Sequence, residues 1–157
     1  MIAYKKFVVG ICAMFMVFAL ANNAYAANAV PNTPKKINER LSPVMVEFEG
    51  VDSIGSKLST RLKELFNASN LFNLEGADVP KFRVLISSAP EFKSRPSIGS
   101  AYSVVWLFSL SDATLRHYLA MEVGVVSNED VNDLAAKIVE KTDSIAMRYS
   151  YLFPEKK

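Results

Sequence analysis

The sequence predicts an α+β fold: a two-layer sandwich of a mostly antiparallel sheet with two helices on one face, in the order β-α-β-β-β-β-α. Three observations carry this. Val44-Met45-Val46-Glu47-Phe48-Glu49 alternates with period two, and Ile54, Leu58, Leu62, Leu65 and Phe66 then fall on one helical stripe. Two long β-type runs, 101–110 and 113–126, follow as a hairpin. A second helical stripe, Val131, Leu134, Ala135, Ile138, Thr142, Ile145 and Tyr149, closes the chain. Neither helix can bury its stripe alone, so both need the sheet.

The first strand ends at Gly50, and Asp52 is placed to cap the helix, its carboxylate accepting an N–H of the first turn. Asn67–Asn70 stops that helix, and Phe72 and Leu74 form a short strand before Gly76. In 81–88, Phe82, Val84 and Ile86 alternate with Arg83, Leu85 and Ser87, another strand. Residues 89–100 carry Pro90, Pro96, Gly99 and serines and read as an exposed loop. Its two cations, Lys93 and Arg95, are candidates for contact with a partner or an anion.

The hairpin register follows if Ser111-Asp112 is the turn. Trp106 then faces His117, Val104 faces Leu119 and Tyr102 faces Met121, which makes one face almost wholly apolar. The helices would cover that face. The mixed face, with Val105, Leu107 and Tyr118, stays partly open and is the candidate surface for a partner or a second copy. Ser127-x-x-Asp130 caps a final helix expected from about 128 to 149, and Pro154 stops it.

The front of the chain has a separate character. Lys5 and Lys6 precede an apolar run of 14 residues, Phe7 to Leu20, and Ala24-Tyr25-Ala26 follows. A basic segment, a short apolar segment and a small-residue site in that order describe a secretory signal peptide, cleaved near Ala26. The run is shorter than the roughly 20 residues of a membrane helix, so contact with the membrane is expected only before cleavage. The expected organisation is a signal peptide at 1–26, a flexible tail at 27–43, one domain at 44–153 and a solvated end at 154–157. The location is periplasmic or secreted. The tail is either a spacer or a docking peptide.

Without residues 1–26 the chain carries sixteen cations and sixteen acids, against a net +2 for the whole. No excess of positive charge is left to drive binding to nucleic acid. Cys12 is the only cysteine and lies in the apolar run, so the exported part has no thiol for a disulfide, a nucleophile or a metal. His117 is the only histidine, expected in the core or at its rim with a hydrogen-bond partner. No phosphate-binding loop, dinucleotide fingerprint or nucleophile elbow occurs. The reading is a non-enzymatic interaction module with no cofactor or metal, binding another envelope protein or itself. The alternative is a small-ligand-binding or hydrolytic protein using His117 or a carboxylate pair drawn from Glu47, Glu49, Asp52, Asp112 and Glu122.

The stretch Asn67-Ala68-Ser69-Asn70-Leu71-Phe72-Asn73-Leu74 closes a strand–helix unit with a serine–x–x–phenylalanine step, Ser69 and Phe72, into the next strand. With the long hairpin and final helix that follow, residues 44–149 resemble the N-terminal domain of TolB and the related curli-export (CsgG-like) and penicillin-binding-protein activator (LpoB-like) domains. The resemblance implies a periplasmic interaction domain in envelope assembly and carries over no catalytic residue. In TolB the extreme N-terminal tail engages a partner, which directs attention to 27–43 here. The chain departs from TolB in having no propeller after the domain. It departs from the lipoprotein relatives in having Ile11, not a small residue, before Cys12.

Overall fold

The computed structural model describes residues 41–153. The expected signal peptide at 1–26, all but the last residues of the expected tail at 27–43, and the end at 154–157 lie outside the described residues.

Within the described residues five strands and two helices follow the expected order. β1 (Ser42–Gly50) starts two residues earlier than its alternation alone indicates, because Ser42 and Pro43 pair with Phe72 and Asn73. α1 spans Ser53–Ala68, β2 Phe72–Leu74 and β3 Lys81–Pro90. β4 (Gly99–Ser109) and β5 (His117–Ser127) form the hairpin, and α2 covers Val131–Arg148. The sheet order is β2-β1-β3-β4-β5. The long β3–β4 and β4–β5 ladders are antiparallel. β1 runs parallel to both its neighbours, since α1 carries the chain across the sheet before it returns.

The stripes do what their spacing requires. Ile54, Leu58, Leu62 and Phe66 of α1 and Val131, Leu134, Ala135, Ile138 and Ile145 of α2 are buried against one face of the sheet. That face is built from the even-numbered residues of three strands: Val44 and Val46, then Phe82, Val84 and Ile86, then Val104, Trp106 and Phe108. The serine–x–x–phenylalanine step has a plain physical role. Ser69 Oγ accepts the Leu71 N–H at 3.1 Å and turns the chain out of α1. Phe72 then drops edge-on against Phe66, with ring centroids 4.9 Å apart. At the other end a short 3₁₀ turn, Ser150–Leu152, delivers Phe153 edge-on to Phe82 and Phe108, at 5.1 and 5.2 Å.

Asp52 caps α1 as its position predicts, accepting the Gly55 N–H at 2.7 Å. It also accepts from Ser88 Oγ and Ser100 Oγ, each at 2.5 Å, so one buried carboxylate ties α1 to the ends of β3 and β4. Gly55 is required here by close approach: a Cβ would lie 1.8 Å from Ser88 Oγ and 2.7 Å from Ser88 Cβ. The loop between β3 and β4 is shorter than expected, because β3 runs on to Pro90 and β4 begins at Gly99. α2 begins at Val131, later than the serine cap indicates. Ser127 Oγ accepts the Asp130 N–H in a turn outside the helix, and the Asp130 side chain makes no capping bond.

The hairpin register is a correction. Trp106 pairs with Ala120, Val104 with Glu122 and Tyr102 with Gly124, while His117 pairs with Phe108. A shift between Trp106 and Leu107 accompanies the change. Two contacts explain why β5 turns its less apolar set, Ala120, Glu122, Gly124 and Val126, toward the helices. Lys141 of α2 donates to Glu122 Oε2 at 2.7 Å while lying 4.7 Å from the Trp106 ring centroid. Tyr102 needs the bare backbone of Gly124, where a Cβ would meet its ring and hydroxyl at 2.9–3.0 Å.

Candidate functional site

The face of the sheet away from the helices is built from the odd-numbered residues of β1, β3 and β4 and, beyond the shift, of β5. Its two halves differ in chemistry.

The half at the β1–β3 side is charged and covered. Arg83 is almost fully buried although it points away from the core. Its Nε donates to Ser109 Oγ at 2.9 Å, and its two terminal nitrogens bond Glu47 and Asp112. Lys81, fully buried, donates to the Ala77 carbonyl at 2.5 Å and pairs with Asp112 at 3.2 Å. Arg116 reaches Glu47 at 3.4 Å. These bonds draw the β4–β5 connection, residues 110–116, back over the sheet. That is why Ser111-Asp112 is not the tight turn of the expected hairpin: Asp112 is needed one strand away. A buried cation that loses one of its acids is left undercompensated. Asp112 is itself half exposed, so the cost is discounted. Asp112→Ala is expected to lower stability by about 1–2 kcal/mol and to free the connection. Faster tryptic cleavage after Arg116 with unchanged far-ultraviolet circular dichroism would show it; cleavage at the wild-type rate would not.

The half at the β4–β5 side is apolar and open. Val105 and Leu107 are half-buried, and Leu107 pairs with Tyr118. Along β5, Tyr118, Met121, Val123 and Val125 are 64, 54, 64 and 60 % exposed. The sequence brings Val105, Leu107 and Tyr118 to one face, and the structure places them together. Met121, Val123 and Val125 extend the strip, and Met121 was expected on the core face, opposite Tyr102. Their signal was present in the alternation of β5, but alternation does not say which face the helices take. Lys93 and Arg95 do not join Leu107 and Tyr118. They lie exposed in the loop before Gly99, and the nine residues of β4 from Gly99 to Leu107 span about 26 Å.

His117 is exposed at the start of β5, opposite Phe108 and away from Trp106, so the expected core or rim position is corrected. Thr142 Oγ1 is what the Trp106 indole meets, at 2.8 Å. Of the five acids put forward as carboxylate partners, Glu47 and Asp112 hold Arg83, Asp52 caps α1, and Glu122 accepts from Lys141 and, at 3.3 Å, from the Tyr102 hydroxyl. Burial pushes the Tyr102 phenol up, and the adjacent Glu122 carboxylate adds to that. For Asp52, burial pushes the carboxyl up, but the bonds from Ser100, Ser88 and Gly55 together outweigh it and hold it below its ordinary value. Among the described residues no group of three or more His, Cys, Asp or Glu is placed to hold a metal ion. No helix among them is long and apolar enough to cross a membrane.

No protein-family model and no curated protein sequence matches the chain. Solved structures with a similar backbone include three low-identity chains. The hypothetical protein CT253 from Chlamydia trachomatis has a TM-score of 0.42 and 10% identity, covering 68% of this chain and 98% of that one. A minor lipoprotein from Acinetobacter baumannii has a TM-score of 0.34 and 14% identity, covering 66% and 93%. The rare lipoprotein B from Shewanella oneidensis has a TM-score of 0.36 and 13% identity, covering 68% and 98%. The likeness is one of backbone alone.

Proposed function

We propose that this chain is an exported, non-enzymatic α+β module of the cell envelope that binds another envelope protein through the open half of its sheet. The observation that carries the reading is the apolar strip formed by Val105, Leu107, Tyr118, Met121, Val123 and Val125. Scattered exposed apolar residues are ordinary, whereas a contiguous row on one rigid sheet is a contact surface. Export is supported by the basic segment, apolar run and Ala24-Tyr25-Ala26 site. The resemblance to TolB-like, CsgG-like and LpoB-like domains supports the envelope role.

The test is crosslinking in the exporting cell followed by co-purification, comparing wild type with Leu107→Glu/Tyr118→Glu. Both positions face outward, so the domain is expected to stay folded while the captured envelope protein is reduced by at least roughly tenfold. Capture at the wild-type level by the folded variant removes the strip as the site. A chain lacking residues 28–40, which leaves β1 whole, separates a docking role of the tail from one of the sheet.

A further inference from the structure

The two edges of the sheet are managed differently. β2 is only three residues long, which protects that side by shortness. β5 is eleven residues long and carries no proline, lysine or arginine. Its one charge, Glu122, points to the helix side and is engaged by Lys141. A long edge that no described residue pairs with, carrying an apolar outer row, is a template for another strand.

We infer that this edge pairs with a second copy of the chain, β5 against β5 in antiparallel register about a two-fold axis at Val123. The strand itself selects this register. After the shift at Trp106/Leu107 the regular part of β5 runs from Ala120 to Ser127, and Val123 is one of its two middle residues. Pairing about Val123 sets Met121 opposite Val125 and Val123 opposite itself, all on the open face. On the helix face it sets Glu122 opposite Gly124 and Ala120 opposite Val126. No like charges meet, and Glu122 faces the one position without a side chain. An axis one residue earlier puts Glu122 against Glu122, which is repulsive. An axis two residues earlier runs into the irregular part of the strand. An axis one residue later sets Gly124 against itself and wastes Met121 on Ser127.

A two-fold axis perpendicular to the sheet keeps both helix layers on one side and joins the two apolar strips on the other. One paired strand with one apolar row is a small contact, near the lower bound of about 1,000 Å² for a specific interface. The dimer is therefore expected to form with a dissociation constant in roughly the micromolar range. The inference stands apart from the proposed partner, which would use the joined open face.

The experiment uses the chain as isolated from the expressing cells, with Cys12→Ser wherever thiols are introduced. Light scattering over roughly 1–300 μM is expected to show a mass approaching twice the protomer, and Val123→Lys to weaken the dimer by at least roughly tenfold while remaining folded. Val123→Cys is expected to link to itself under mild oxidation, because directly opposite Cα atoms lie about 4.5–5.5 Å apart, within disulfide reach. Met121→Cys is expected to link poorly alone and well when mixed with Val125→Cys. A monomer at every concentration, a dimer indifferent to Val123→Lys, or Met121→Cys linking to itself in preference to Val123→Cys would each overturn the inference. These readings use purified chain without any partner, so they can fail while the Leu107/Tyr118 test succeeds, and the reverse.

Discussion

Trp106→Ala is expected to lower the stability of the domain by about 4 kcal/mol. The side chain is fully buried and sits where both layers meet. It lies in the β4 row between Val104 and Phe108, its Nε1 donates to Thr142 of α2 at 2.8 Å, and Lys141 lies over its ring. Deleting it removes one of the largest apolar surfaces in the core and leaves a cavity that a five-stranded sheet cannot close. The hydrogen bond is the lesser part, because Thr142 Oγ1 still donates to the Ile138 carbonyl at 2.7 Å. Trp106→Phe should accordingly cost less, about 1–2 kcal/mol. Chemical denaturation followed by far-ultraviolet circular dichroism measures both, since the chain has one tryptophan and the fluorescence probe goes with it. Equal losses for Ala and Phe would mean that the bond to Thr142, not volume, is what the position needs.

Asp52→Ala is expected to cost about 3 kcal/mol. Three donors lose their acceptor at once: the Gly55 N–H and the hydroxyls of Ser88 and Ser100. The same carboxylate sets part of the acid response. Its folded-state pKa lies below the ordinary value of 3.8, so the folded form binds its proton less readily than the unfolded chain. The stabilisation is therefore fully present above the ordinary aspartate range and is lost as the pH falls through the depressed folded value. Asp52→Asn keeps an N-cap acceptor but has no charge to lose. Its stability should decline less steeply on acidification below about pH 4 than that of wild type. Denaturation midpoints at pH 7 and in the acid range decide this. Parallel acid limbs for the two proteins would assign the acid loss to other carboxylates.

Much of the architecture was legible because it rests on local periodicity. A stripe repeating at 3.6 residues must be buried, and Ile54 to Phe66 and Val131 to Ile145 are buried as their spacing requires. Asp52 was legible as a cap because a short carboxylate before an apolar stripe has few better uses. Its bonds to Ser88 and Ser100 were not, since they join positions 36 and 48 residues away. The same holds for the charged cluster. Glu47, Arg83 and Asp112 are ordinary strand and turn residues in sequence, and only the pairing of β1 with β3 and the fold-back of the β4–β5 connection brings them together.

The strip on the open face shows where local pattern stops. Val105, Leu107 and Tyr118 were readable as one face because β4 alternates cleanly. The orientation of β5 was not, because its odd set, Met121, Val123 and Val125, is the more apolar and the better candidate for the core by pattern alone. That choice was made by partners outside the strand: Asp112 drawn to Arg83 and Lys81, Lys141 reaching Glu122, and Tyr102 lying over Gly124. Element order and the two helical stripes are thus properties of the sequence read alone. Which face of the last strand meets solvent is a property of the assembled sheet, because strand parity costs nothing locally and is settled by the side chains that pack across it.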